Sequence, residues 1–190
     1  MLTIGKIIYF DAPGPVNTEK TLWAARERAA ELGVTHAVVA STTGKTALKA
    51  CDILEGFNIV IVRHHTGFSK PGFQEMSREY EEKILSKGVK ILTATHAFSG
   101  VEKALKNKLG LVGPVELMAE TLRLFGEGMK VCVEIAVMAA DAGLIPVDSD
   151  IVSIAGTSRG ADTAIILKPA NSSNFFDIEI KEIIAKPRTR

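Results

Sequence analysis

Residues 34–47 read VTHAVVASTTGKTA. Val34 to Ala40 (VTHAVVA) is an apolar run of strand length, stopped by a cluster of hydroxyls and a glycine. Ser41 to Thr46 (STTGKT) reads as a loop, and TALKACDIL after it as a short helix. The same succession recurs downstream. Asn58 to Val62 (NIVIV) is a second strand, RHHTGFSKPG a loop, and Phe73 to Lys87 a helix. Gly88 to Thr93 (GVKILT) is a third strand, ATHAFSG a loop, and Val101 to Lys108 a short helix. Strands alternating with helices indicate a parallel sheet in an α/β fold.

Towards the N-terminus, Ile7 to Phe10 is a short apolar run that ends at the turn-forming DAPGP. Asn17 can cap the helix TEKTLWAARERAAEL, with Leu22, Ala25, Ala29 and Leu32 at helical spacing and Gly33 as its stop. Towards the C-terminus, Pro114 suits the first turn of the helix PVELMAETLRLF. Gly128 to Ala142 is a more apolar helix, predicted to be buried. Asp150 to Ala155 (DIVSIA) and Thr163 to Lys168 (TAIILK) are a fourth and a fifth strand. The short GTSRGAD link makes that pair an antiparallel hairpin, because a parallel pair needs a long crossover. Phe176 to Ala185 alternates like a last, edge-type strand, whose open side a second subunit would cover. The expected architecture is a three-layer α/β sandwich with a mostly parallel sheet of about five to six strands and an antiparallel C-terminal strand or hairpin.

Composition narrows the function. The 190 residues are 46% hydrophobic and 24% charged, enough for one buried core and too apolar for a disordered chain. The net charge is +1 and aromatics make up 6%, which argues against nucleic acid and lipid surfaces as partners. Cys51 and Cys132 match no metal spacing and are expected to be inert core thiols. No leader or membrane segment is legible, since the longest apolar stretch, Val131 to Pro146, carries Glu134 and Asp141. A cytoplasmic location is expected.

Ligands of open α/β sheets bind beyond the carboxyl ends of the parallel strands. The loops there are STTGKT, RHHTGFSKPG, ATHAFSG and GTSRGAD. They hold three of the four histidines, His64, His65 and His96. Phe68 and Phe98 lie there too, and Phe73 follows closely. Ser41, Thr42, Thr43 and Thr46 offer hydroxyls for an anion, Gly44 would allow close backbone approach, and Lys45 supplies charge at a helix start. Val39 stands where a Walker A loop needs glycine, so a nucleotide triphosphatase is disfavoured. Gly156, Thr157, Ser158 and Arg159 form either a second anion contact or an ordinary turn. His64 and His65 point apart in extended chain and would not chelate one ion, so no metal site is expected. His65 and His96 are candidate ligand donors and the candidate acid/base groups, whereas His36, inside the first core strand, reads as structural. Glu134 needs a partner if buried, from Lys, Arg or a ligand amide. Asp11, Asn17 and Thr18 read first as capping residues.

The order helix, VTHAVVASTTGKTA, NIVIV, GVKIL, apolar helix, DSDIVSIAGTSRGADTAIILKP resembles the C-terminal α/β domain of pyruvate kinase. Ser41 to Ala47 match that family's hydroxyl-rich loop T-x-S-G-x-T/S-A, with Thr43 in the serine place. The likeness runs from about Thr18 to Pro187. It implies one α/β domain over residues 1–190, with an N-terminal strand and turn in 1–16 and the family-like part in 17–187. In that family the loop binds a sugar-phosphate effector in many members, and catalysis belongs to a barrel of about 250 residues for which this chain has no room. Pyruvate kinase activity is therefore not expected. The chain looks more similar to stand-alone, mostly prokaryotic members, for which flavin mononucleotide (FMN) is the implied ligand. STTGKT could hold its phosphate, His65, Thr66, Gly67, Thr95 and His96 could meet its polar atoms, and Phe68 or Phe98 could stack on its ring.

Three functions stay open. The first is binding of FMN, with or without flavin-dependent catalysis. The second is a non-catalytic sensor of a sugar phosphate. The third is a hydrolase or lyase on a phosphorylated substrate, with His65 or His96 as acid/base. Covalent catalysis has little support, since no Ser-His-Asp or Cys-His order is legible.

Overall fold

Apolar runs become neighbours in a single sheet in the computed structural model, which describes residues 5–189. In chain order the strands are β1 (Ile8–Phe10), β2 (His36–Ala40), β3 (Asn58–Arg63), β4 (Lys90–Thr93), β5 (Ile151–Ala155), β6 (Thr163–Lys168) and β7 (Glu179–Pro187). Across the sheet they run β1-β7-β6-β5-β2-β3-β4. β2, β3, β4 and β5 are mutually parallel, with Val38 paired to Val60 and to Ser153. The expected hairpin is present: β6 runs antiparallel to β5, with Ser153 opposite Ile165.

The sheet has helices on both faces. α1 (Thr18–Glu31), α2 (Lys45–Ile53) and α3 (Arg78–Leu85) cover one face; α6 (Glu127–Asp141), backed by α5 (Pro114–Arg123), covers the other. Between β4 and α5 lies α4 (Gly100–Leu109). Alternation along each strand sorts side chains between two cores. Val39, Ile61 and Ile154 pack with Leu22 of α1 and Leu54, whereas Val38, Val60 and Ile165 pack with Met129 and Val133 of α6. Each fully buried aliphatic side chain of this kind contributes about 1.5–3 kcal/mol. α6 is buried nearly all round, as its uninterrupted apolar composition predicts. Cys51 and Cys132 are buried and unpaired, and desolvation pushes both thiols up.

The structure corrects several expectations. The helix predicted over 73–87 starts at Arg78, because Ser77 caps it by accepting from the Tyr80 amide at 3.4 Å. Residues before it fold back instead: the Gly67 amide donates to Phe73 O at 2.9 Å, and Gln74 Nε2 to His64 O at 3.1 Å. The last strand begins at Glu179, since Ser172–Asp177 form a 3-10 turn. Nor is it an edge. β1 pairs with it in parallel, Ile8 with Ala185 and Phe10 with Pro187, so the argument for a second subunit loses its premise. His36 is the first residue of β2, half-buried at the amino end, with Nδ1 3.1 Å from Thr35 Oγ1. Of the span expected to form one domain, residues 1–4 and 190 lie outside the described residues. No helix among the described residues is long and apolar enough to cross a membrane.

The two ends of the sequence meet again at α1. The Ala161 amide donates to Thr18 Oγ1 at 3.1 Å. Gly160, at φ +129, lies so close to the preceding turn that a Cβ would come within 2.4 Å of Pro15 Cα. Gly160→Ala is expected to cost about 2 kcal/mol or more in urea unfolding, from backbone strain and from the clash. A loss below about 0.5 kcal/mol, the scatter of neutral surface changes, would contradict this contact.

Candidate functional site

The order of the strands dictates where a ligand can sit. From β2 the chain moves outward through β3 and β4, then returns to place β5 on the other side of β2. The loops leaving β2 and β5 therefore diverge, and a crevice opens at this switch point beyond the carboxyl ends. A cavity of about 940 Å³ lies there. Its walls include Ser41, Thr42, Thr43, Lys45 and Thr46 from the loop after β2 and Gly156 to Gly160 from the loop after β5. His64, Phe68, His96 and Phe98 come from the other two loops, and α6 contributes Val131, Ile135 and Met138.

The STTGKT segment is arranged as a helix start. Ser41 Oγ accepts from the Ala47 amide at 3.1 Å, leaving the first-turn amides of Lys45 and Thr46 without an intrahelical acceptor. Thr42 Oγ1 lies 3.5 Å from His64 Nε2. Gly44 has a different role from the one expected. It is absent from the cavity wall; at φ +95, a Cβ there would meet Tyr80 Cβ at 2.6 Å. Its small size serves packing of α2 against α3.

Across the crevice, the loop after β5 is tied down by Asp162, which is fully buried. Its Oδ2 accepts from Gly14 N at 2.9 Å and Thr157 N at 3.1 Å, and its Oδ1 from Thr163 Oγ1 at 2.8 Å. This holds Ser158 in the left-handed region at φ +62 and leaves Arg159 exposed on the cavity wall. Thr18 also lines the cavity. Its hydroxyl donates to Pro15 O at 2.7 Å, and Asn17 Nδ2 donates to Ala12 O at 2.9 Å, so neither side chain caps α1.

The histidines gather round one phenylalanine. His64 stacks on Phe68 with centroids 3.8 Å apart, and its Nδ1 lies 2.7 Å from Glu75 Oε2. His96 lies 5.3 Å from His64 and 5.4 Å from His65, centroid to centroid. His64 lines the cavity and His65 does not, although the two rings do not point apart as expected, since both lie against Phe68 and His96. His65 instead has Nδ1 2.9 Å from Thr66 O. Thr66 and Gly67 also lie off the cavity wall, and Thr95 lines a separate cavity of about 620 Å³ that shares His96. Neither predicted stacking ring is free. Phe68 carries Lys103 Nζ at 4.5 Å from its centroid besides His64, and buried Phe98 packs edge-on against Phe175 at 5.4 Å.

Glu134 has found its partner within α6: Lys130 Nζ lies 2.5 Å from Oε2, and both side chains are more than nine-tenths buried. Glu134 Oε1 also accepts from the Phe98 amide at 2.9 Å, anchoring ATHAFSG to the helix. Four residues of the site escape motif reading: Arg63, Lys103, Lys130 and Asp162. The Lys130–Glu134 spacing inside an apolar helix was a usable signal. Arg63 and Lys103 carry none, because only the tertiary fold turns them towards the cavity. Arg63 donates through Nε to Thr93 Oγ1 at 2.6 Å and through Nη2 to Glu81 at 3.1 Å. Its Nη1 is buried without a partner among the described residues. No group of three or more His, Cys, Asp or Glu among the described residues is placed to hold a metal ion.

Burial pushes His96 down from 6.5 to about 4; Glu134, 4.0 Å away, opposes the shift, while His64 and Lys130 add to it. The imidazole is neutral at pH 7, with one nitrogen donor and one acceptor. The unfolded chain takes up this proton near 6.5 and the folded chain only near 4. Stability present above pH 6.5 is therefore lost as pH falls, and the loss is complete below about 4. A shift of this size corresponds to on the order of 3 kcal/mol. His96→Asn is expected to flatten the fall of urea-unfolding free energy between pH 6.5 and 5; an unchanged slope would contradict the depressed value.

Comparison with known proteins identifies a family for this chain. The family model described as pyruvate kinase, alpha/beta domain, matches residues 19–167. Among solved structures, a pyruvate kinase from Cryptosporidium parvum is 14% identical, with 82% of this chain and 24% of that chain covered and a TM-score of 0.39. The Cryptosporidium parvum pyruvate kinase in complex with ADP is 13% identical, with 93% and 25% covered and a TM-score of 0.38. The chain thus spans about a quarter of the length of the enzymes it matches. It belongs to the pyruvate kinase alpha/beta domain family.

Proposed function

We propose that this protein binds a phosphorylated small molecule in the crevice between the loops after β2 and β5. The observation that carries the proposal is the charge on the cavity wall. Most of its cations are neutralised: Lys49 by Glu19, Arg63 by Glu81, Lys106 by Glu116, Arg123 by Glu120 and Glu127, Lys130 by Glu134. Lys45, Lys103 and Arg159 have no carboxylate partner among the described residues. Clustered round one cleft, they focus a positive field at its mouth. Thr42, Thr43 and the start of α2 add hydroxyl and amide donors suited to a phosphate.

FMN is the first candidate. A volume of about 940 Å³ accommodates a mononucleotide, and Val131, Ile135 and Met138 give an apolar floor for a planar body. Thr42, Thr43, Lys45 and Arg159 would hold the phosphate. The unpartnered Arg63 nitrogen and His96 offer polar contacts further in. When bound, the flavin would supply hydride and one-electron chemistry. A sugar phosphate is the second candidate. It is favoured by the covered faces of Phe68, since flavin stacking there would have to displace His64 or Lys103.

Calorimetric titration of the purified protein with FMN and with sugar phosphates discriminates the two, and flavin absorbance in the protein as isolated would favour the first. For either ligand, Lys45→Ala is expected to weaken binding by about 1–3 kcal/mol, the range of a charge-assisted hydrogen bond. Unchanged affinity in that variant would remove the STTGKT loop from the site.

A further inference from the structure

α4 is amphipathic in the wrong sense for a helix on a protein surface. Lys103, Lys106 and Asn107, at i, i+3 and i+4, line the cavity. Val101, Leu105 and Leu109, at i, i+4 and i+8, are 75%, 45% and 59% exposed. A surface helix ordinarily turns its apolar stripe inward and draws most of its stability from that burial. α4 buries none of its residues. At ten residues it is below the length at which an isolated helix persists in water. Its ties are polar and lie towards α5: Glu102 Oε1 accepts from the Glu116 amide at 3.2 Å, and Lys106 Nζ lies 2.5 Å from Glu116 Oε1. Gly100 is its first residue, and Gly110 ends it in the left-handed region at φ +69. Lys103 and Lys108 both lack a carboxylate partner among the described residues, and of the two Lys103 lines the cavity. Lys103 Nζ rests over the Phe68 ring, 4.5 Å from the centroid.

We propose that α4 is a clasp: Lys103 is a contact to the ligand's anionic group, and ligand binding orders α4 over the cavity. This rests on the anion site proposed above and extends it. Such a residue is not predictable from a loop motif, because it sits in a helix after the loop. The cation–π contact to Phe68 parks the ammonium beside the cleft, and an arriving anion outcompetes a neutral ring. The exposed apolar stripe then becomes fixed in position only in the bound state.

Hydrogen–deuterium exchange on the full chain tests this, with FMN and inorganic phosphate as probes and binding followed in parallel by calorimetry. Without a probe, amides of residues 100–113 are expected to exchange at least about 100-fold faster than those of residues 129–140 in α6. A saturating probe should slow residues 100–113 by at least about tenfold. Lys103→Met should bind the probe more weakly and, at a probe concentration that saturates the variant by calorimetry, lose that slowing while keeping α6 protected, and Lys103→Arg should retain both. The clasp is overturned if α4 is already as protected as α6 without a probe. It is equally overturned if a probe binds without slowing α4, or if Lys103→Met keeps the slowing. If the wild-type protein binds neither probe, the anion site itself falls, and the clasp with it.

Discussion

The carboxylate of Asp162 holds the two ends of the chain in register. It accepts from Gly14 ahead of α1, from Thr157 in the loop after β5, and from the hydroxyl of Thr163 at the start of β6. A buried carboxylate is tolerable only when its oxygens are used in this way. The knot makes three features one unit. It fixes the tight link that lets β6 return antiparallel, it seats the turn before α1 against that link, and it holds Arg159 at the rim of the cavity. β7 and then β1 extend the sheet from that reversal, so the fold of the C-terminal third and one wall of the crevice share a single polar anchor.

The opposite wall is built on different physics. The loop after β2 owes its shape to helix initiation at α2, with Ser41 as an acceptor for Ala47 and Gly44 pressed against Tyr80. The cavity floor is the apolar face of α6, where Lys130 and Glu134 neutralise each other. A buried pair of this kind adds little net stability, yet breaking one partner is costly, so the pair fixes the floor and the ATHAFSG loop together. The crevice thus has one wall set by a buried carboxylate, one by helix capping, and a floor set by an ion pair in an apolar helix. Among the described residues, the lining cations without a carboxylate partner are Lys45, Lys103 and Arg159.

Local pattern carried much of this. The apolar runs at 36–40, 58–63 and 151–155 are short, rich in valine and isoleucine, and stopped by glycine and hydroxyl clusters, so their order and the β5–β6 hairpin were legible. The pairing of β1 with β7 was not, because residues 8 and 185 are brought together only by the finished sheet. The same division holds for the site. Thr42, Thr43, Lys45 and Arg159 were readable as lining residues, since the loops at the carboxyl ends of parallel strands flank the switch-point crevice by topology. The need for glycine at position 44 is set by Tyr80 of a neighbouring helix, and His65, Thr66, Gly67 and Thr95 lie off the main cavity wall through the tertiary course of their loops, which a loop sequence does not encode. Arg63 and Lys103 reach the cavity from a strand end and a helix, where no spacing announces them.

The proposed function requires an oxyanion to sit between the loops after β2 and β5. Diffraction from crystals soaked in tungstate, a phosphate mimic with a strong anomalous signal, tests this most directly. An anomalous peak within hydrogen-bonding reach of Thr43, Lys45 and Arg159 is the expected result. Peaks confined to other surfaces, with that crevice empty at saturating tungstate, would contradict it.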